Sequence, residues 1–204
     1  MNVELFTAFI LITIVLIITP GPIVTLVIST GATQGMRAAL TTVAGTTLGN
    51  ALLLTAIAFG LSWVLANAVI LFEVLRWVGA AYLVWLGFQA WRHAGKSGPA
   101  LAQRSHVHFT RGLLVALFNP KTTVFFTAFL PQFIDPSLPV GRQLAVMCVV
   151  SVILAAMTDS TWAVAAGLGR AWFVKPARAK FLGRLSGTVL IGGGVWLSLA
   201  RRPS

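Results

Sequence analysis

Two long intervals of this sequence contain no charged residue. One lies between Glu4 and Arg37 and the next between Arg37 and Glu73. Each is longer than the roughly 20 apolar residues with which an α-helix crosses a bilayer. Only 9% of all residues are charged, whereas soluble domains contain roughly 25%. The chain is therefore predicted to be an all-α membrane protein.

Apolar runs between charges and turn residues predict about six transmembrane helices. They lie near residues 5–30, 39–65, 69–91, 110–130, 143–169 and 182–200. The first charge is the acidic Glu4 and the first run continues past Val27. That segment is therefore expected to stay as a helix rather than to be removed as a signal peptide. Cys148 is the sole cysteine, so no internal disulfide is expected.

A hydrophilic, basic segment at residues 93–109 is predicted to be a cytoplasmic linker between two halves, 1–92 and 110–204. Each half contains three predicted spans. Because three is odd, the halves must be inverted relative to each other, as in many secondary transporters. The linker holds His106 and His108, which are expected to be solvated, because no acidic or cysteine ligand lies nearby in sequence.

The distribution of basic residues predicts the orientation, since loops rich in Lys and Arg stay in the cytoplasm. With both termini outside, ten of the fifteen Lys and Arg residues fall on the inner side: Arg37, Arg92, Lys96, Arg104, Arg111, Arg170, Lys175, Arg178, Lys180 and Arg184. Contact of these loops with anionic lipid explains the net charge of +11. Nucleic acid is not an expected partner, because no soluble basic domain is present.

Prolines interrupt the first and the fourth predicted spans at matching positions. The first contains Thr19-Pro20-Gly21-Pro22 and the fourth Asn119-Pro120-Lys121. Proline breaks or kinks a helix, and Asn or Gly followed by proline is typical of a helix start. A helix that starts inside the membrane directs free N–H groups at whatever lies there, which suits a carboxylate. A single kink more often shapes packing, but two in equivalent places favour a transport site.

Three polar residues within spans are further candidates. Lys121 and Asp159 are ionisable, and such residues inside a membrane imply a partner, a water-filled path or a function. They are candidates for substrate or proton handling, and the alternative is a structural ion pair between the fourth and fifth spans. Asn50, near the middle of the second span, needs a hydrogen-bond partner and is a candidate for the path. Small residues four apart, such as Gly45 and Gly49, indicate close helix packing.

Taken in order, these residues resemble the lysine exporter family, in particular its homoserine and threonine resistance branch (LysE/RhtB). The resemblance rests on segments 19–22, 79–87, 119–121, 129–133 and 186–192 and on Gly35, Gly45 and Gly49. It implies a six-helix secondary exporter in a bacterial cytoplasmic membrane, which moves amino acids or their derivatives outward against an inward proton flow. The positions that match the family's motif are Pro20, Gly21, Pro22, Asn119, Pro120 and Lys121.

The sequence therefore predicts a proton-coupled amino-acid antiporter with no cofactor. No nucleotide-binding or catalytic motif is present, so neither ATP-driven transport by this chain alone nor an enzyme is predicted. An exporter of another small solute or metal ion and a structural membrane subunit are the alternatives. The substrate's identity and homo-oligomerisation are left open.

Overall fold

A computed structural model describes residues 2–67, 69–92, 105–169, 172 and 175–199, and these residues form helices and no strand. The helices are α1 (Val3–Ile18), α2 (Pro22–Gln34), α3 (Met36–Asn67), α4 (Val69–Arg92), α5 (Ser105–Leu117), α6 (Pro120–Phe129), α7 (Val140–Leu168) and α8 (Pro176–Leu199), with a 3₁₀ turn at Leu130–Phe133. The predicted all-α fold is confirmed.

Both predicted interruptions are present as breaks between helices. The first predicted span consists of α1 and α2, which meet at an angle of 46°. The fourth consists of α5 and α6. In each case a proline opens the second helix, Pro22 after the N-cap residue Gly21 and Pro120 after the N-cap residue Asn119. Proline is accepted there because the first N–H groups of a helix have no partner within it.

Three segments are long and apolar enough to cross a membrane: Met36–Gly60, Val107–Phe133 and Val140–Leu168. The α1–α2 pair makes a fourth if it is one bent span. The described parts of α4 and α8 contain shorter apolar stretches, Ala80–Gln89 and Gly187–Leu199. A membrane protein is therefore confirmed, whereas six spans in two inverted repeats stay a prediction.

Glycines let the helices approach closely. A Cβ on Gly45 of α3 would overlap the carbonyl oxygen of Phe109 in α5, and one on Gly49 would lie 2.5 Å from the Leu113 oxygen. Gly31 packs in the same way against α7, where its Cβ would lie 2.9 Å from the Ala166 Cβ. The small residues therefore serve packing, as predicted. They hold α3 and α5 at backbone contact beside the site described below.

The last residues of the predicted linker 93–109 are helical. Residues 93–104 lie outside the described part of the chain, but residues 105–109 are already helical in α5. His108, expected to be solvated, is 4% exposed. The expectation for His108 is therefore wrong, because α5 packs closely on its neighbours and this side chain is buried in that packing.

The N-terminus and the connection after the 3₁₀ turn lie at the same end of the molecule. Phe9 of α1 meets Phe133 edge to face, with ring centroids 5.6 Å apart. Hydrogen bonds from the side chain and backbone of Ser137, and a smaller contribution from Asn2, lower the pKa of Asp135 in this connection. The four spans expected between the two segments stay a prediction.

Candidate functional site

A partly open cavity of about 50 Å³ lies between the two helix breaks. Both breaks, both long helices α3 and α7, and the ends of α1, α2 and α6 contribute to its wall. The lining residues are Leu16, Ile17, Gly21, Ile23, Val24, Asn50, Leu54, Asn119, Lys121, Thr122, Phe126, Ser151, Ala155 and Asp159. The only charged side chains among them are those of Lys121 and Asp159.

Asn119 fixes the second break. Its backbone is extended, with φ −76° and ψ 107°, and its side-chain oxygen accepts a hydrogen bond from the Lys121 N–H at 3.1 Å. Its amide nitrogen donates to the Thr122 hydroxyl at 2.8 Å. The predicted N-cap is therefore formed. It positions Lys121 in the first turn of α6, with its side chain directed at the other break.

Lys121 connects the two broken spans. Its side chain is 6% exposed, and Nζ donates to the carbonyl oxygens of Leu16 at 2.8 Å and Thr19 at 2.6 Å. These carbonyls belong to the C-terminal end of α1, where the last four carbonyls have no partner within the helix and the dipole is negative. The buried ammonium group and the buried carbonyl oxygens therefore satisfy each other's hydrogen bonding.

Gly21 makes room for this lysine. A Cβ at position 21 would lie 2.9 Å from Lys121 Cδ and 3.3 Å from Nζ. The backbone of Gly21, with φ −128°, is open to any residue. The glycine therefore provides space for the Lys121 side chain, and its conformation makes no demand for glycine here.

Asp159 lies on the opposite wall, on α7, and is 3% exposed. Its Oδ2 is 3.4 Å from the hydroxyl of Thr46, which also lies 3.0 Å from the Val43 carbonyl oxygen and has one proton to donate. The contacts of Asp159 and Lys121 include no ion pair between them, because the lysine bonds to backbone carbonyls instead. The direct ion pair considered from the sequence is therefore not formed, although the two charges still interact electrostatically across the cavity.

Asn50 offers an unused acceptor. The residue is 5% exposed, lines the cavity, and its Oδ1 has no hydrogen-bond partner among the described residues. An unpaired buried amide oxygen costs roughly 1–3 kcal/mol. A donor that enters the cavity can recover this free energy.

Five of the eight residues singled out from the sequence line the cavity: Gly21, Asn50, Asn119, Lys121 and Asp159. The prolines Pro20, Pro22 and Pro120 flank the breaks and do not line it. That these eight residues bind a substrate stays a prediction.

Sequence reasoning missed Thr46, Thr122 and Ser151. Ser151, Ala155 and Asp159 follow one another at intervals of four, which places them on one face of α7. That spacing is visible in the sequence and could have identified Ser151. Thr46 stands likewise four residues before Asn50, whereas the contact of Thr46 with Asp159 joins residues 113 apart and has no local signal.

The cavity combines one cationic side chain, one carboxyl group, an open amide oxygen and an apolar wall. The first turn of α2 adds to this, since Gly21 provides no side-chain cap for its N–H groups. Such an arrangement can bind a small molecule that carries both an anionic and a cationic group. Among the described residues no cluster of three or more His, Cys, Asp or Glu side chains is placed to hold a metal ion.

Comparison with known proteins gives a match over nearly the whole chain. A family model described as LysE type translocator matches residues 14–201. The homoserine/homoserine lactone efflux protein of Salmonella typhimurium is 32% identical over 204 residues, with 98% of this chain and 99% of that protein covered. An uncharacterized membrane protein of Vibrio cholerae is 31% identical over 207 residues, covering 98% and 100%.

A leucine efflux protein of Klebsiella pneumoniae is 32% identical over 124 residues, 59% of this chain and 58% of that protein. No solved structure matches the chain.

Proposed function

We propose that this chain exports amino acids or their derivatives across the bacterial cytoplasmic membrane. The premise is that it belongs to the LysE type translocator family and is a transporter rather than an enzyme. The observation that carries the proposal is the cavity between the two broken spans. It brings Lys121, Asp159 and Asn50 together from three helices. Relatives named for homoserine and leucine efflux support the substrate class.

The carboxylate of the substrate binds at the first break. The start of α6 is capped by Asn119, whereas the start of α2 has no side-chain cap. Uncapped N–H groups at a helix N-terminus attract an anion. Lys121 uses two of the three donors of an ammonium group on α1 carbonyls. The third donor is available to the carboxylate.

Asp159 binds the ammonium group of the substrate or exchanges a proton. A buried carboxyl group with one long hydrogen bond is weakly held, and ionisable residues in such positions serve proton relays in transporters. On this proposal export is coupled to an inward flow of protons. The side chain of the substrate packs on the apolar wall formed by Leu54, Phe126 and Ala155.

Export requires the helices to move. An exporter must open its binding site alternately to the two sides of the membrane. We assign residues 1–92 and 110–204 to two inverted repeats that rock against each other around the cavity. The packing supports this assignment, because α3 packs on the broken span of the second half and α7 on that of the first. Both termini face outside.

Export by intact cells tests the proposal. Cells that produce the chain, loaded with a panel of amino acids, should release one or a few of them faster than cells with an empty vector. The matched control is Lys180→Ala, in an exposed side chain far from the cavity in sequence, which should export like the wild type. Release at the empty-vector rate for the whole panel, with the protein present in the membrane, would overturn the proposal.

A further inference from the structure

The break in the first span has two ends of opposite polarity. The carbonyls of Leu16 and Thr19 end α1, and the uncapped N–H groups of α2 begin after Gly21. A helix C-terminus carries partial negative charge and a helix N-terminus partial positive charge. Only residues 19–21 separate the two helix ends in sequence. An α-amino acid has the complementary pair, an ammonium group and a carboxylate on one carbon atom.

The negative end already holds an ammonium group. Nζ of Lys121 lies 2.6 Å from the Thr19 oxygen and 2.8 Å from the Leu16 oxygen, and the residue is 6% exposed. Both hydrogen bonds are short, as is usual for an ammonium donor. The lysine reaches this position from another helix, more than 100 residues away in sequence. The Lys121 side chain shows that the two carbonyls accept hydrogen bonds from an ammonium group.

We propose that the carbonyl end of α1 is an ammonium-binding site, filled by Lys121 in this structure and by the ammonium group of the transported amino acid during transport. The inference rests on the proposed function for the identity of the transported molecule. The carbonyl site itself is testable without transport.

In this exchange the two carbonyls, Lys121 and both charged groups of the substrate each have a partner. When the substrate ammonium takes the two carbonyls, Lys121 turns to the substrate carboxylate at the start of α2. A zwitterion has no net charge, so the charge of the cavity is unchanged. Uncompensated charge inside a membrane protein is costly, and this favours a zwitterion over a simple amine or a simple acid. Asp159 then remains for proton exchange.

Gly21 permits the exchange. Its missing Cβ leaves the stem of Lys121 free to move across the break, since a Cβ there would lie 2.9 Å from Cδ.

Truncation of Lys121 exposes the carbonyl site to a free ammonium ion. We expect ethylammonium chloride to raise the melting temperature of purified Lys121→Ala by about 2–4 °C at roughly fivefold its Kd. Tetramethylammonium chloride at equal concentration has the same charge and no N–H donor, and should give no such rise. The wild type and Lys180→Ala should respond equally to both salts, because Lys121 occupies the carbonyls.

An equal response of Lys121→Ala to the two salts would overturn the proposal. If Lys121→Ala cannot be purified, Lys121→Met, which keeps most of the volume of the side chain, takes its place with the same expected result. This measurement is independent of export. If ethylammonium selectively raises the melting temperature of Lys121→Ala but the wild type exports nothing, the proposed function is refuted and the ammonium site stands. If the wild type exports but Lys121→Ala shows no selective rise, the site alone is refuted.

Discussion

Lys121 and Asp159 line one cavity, yet each is held by a different partner. Lys121 bonds to main-chain carbonyls of α1 and Asp159 contacts a threonine hydroxyl of α3. Their position inside membrane spans is visible in the sequence, because ionisable residues stand out there. Their partners are not, because a carbonyl carries no residue identity and the contacts join residues more than 100 apart.

Replacement of Asp159 separates a transport role from a structural one. Asp159→Asn keeps size and hydrogen bonding but removes the charge and the exchangeable proton. We expect export to fall to the empty-vector rate at normal membrane abundance, and the double variant Lys121→Met/Asp159→Asn to stay inactive. In a structural pair, loss of one partner costs about 3–5 kcal/mol and loss of both is nearly neutral. Recovery of export and abundance in the double variant would therefore contradict the functional role.

Replacement of Gly21 tests the space that it leaves for Lys121. Gly21→Ala should lower export at least tenfold, because the new methyl group forces Lys121 away from the α1 carbonyls, and a misplacement of about 1 Å in a site can cost about 100-fold. Gly141→Ala is the matched control, since nothing lies within 4 Å of its added Cβ. Initial export rates at equal protein abundance give the comparison. Equal rates in both variants would show that Lys121 tolerates displacement.

At the scale of elements, proline and cap residues made the two breaks predictable. Local chemistry decides where a helix starts, so Gly21-Pro22 and Asn119-Pro120 could be identified without a partner helix. The difference between the two breaks could not be predicted from the sequence. The first bends by 46° and the second is straight enough that Val107–Phe133 counts as one segment. That difference depends on packing, such as the glycine contacts of α3 with α5.

Loss of the Asn119 cap should impair transport, whereas loss of an equivalent cap elsewhere should not. Asn2 caps α1 at its opposite end from the cavity, where its side-chain oxygen accepts hydrogen bonds from the N–H groups of Glu4 at 3.0 Å and Leu5 at 3.3 Å. Each replacement by alanine should lower the stability by about 1 kcal/mol, measured by thermal unfolding in detergent. Only Asn119→Ala should also reduce export, because it releases the backbone that positions Lys121. Normal export by Asn119→Ala would reduce this break to a packing feature.

At the scale of the whole molecule, the charge pattern predicts which side each loop faces, and helix contacts constrain which loops share a side. The N-terminus and the connection around Asp135 meet at one end, in agreement with an even number of spans between them. Which face of each helix meets its neighbour could not be read from the sequence. The helices are apolar all round, so periodicity does not distinguish lipid-facing from buried positions.

Cysteine labelling tests the orientation. In a Cys148→Ser background, a cysteine at the exposed Ser137 should react with an impermeant thiol reagent in intact cells, because the proposed orientation puts the connection outside. A cysteine at the exposed Ala177, in a basic segment, should react only after the membrane is permeabilised. Both sites have similar exposure in the protein, so each is the control for the other. Labelling of Ala177 in intact cells would reverse the orientation.

Efflux from proteoliposomes tests the central claim, that the cavity between the two breaks is an amino-acid transport site. Purified wild type and Asp159→Asn are reconstituted at equal protein content into liposomes loaded with the amino acid that cells export. The wild type should release it. The release should be faster when an imposed pH gradient drives protons into the liposomes. Asp159→Asn should not exceed protein-free liposomes. Equal efflux by the two proteins would contradict the claim.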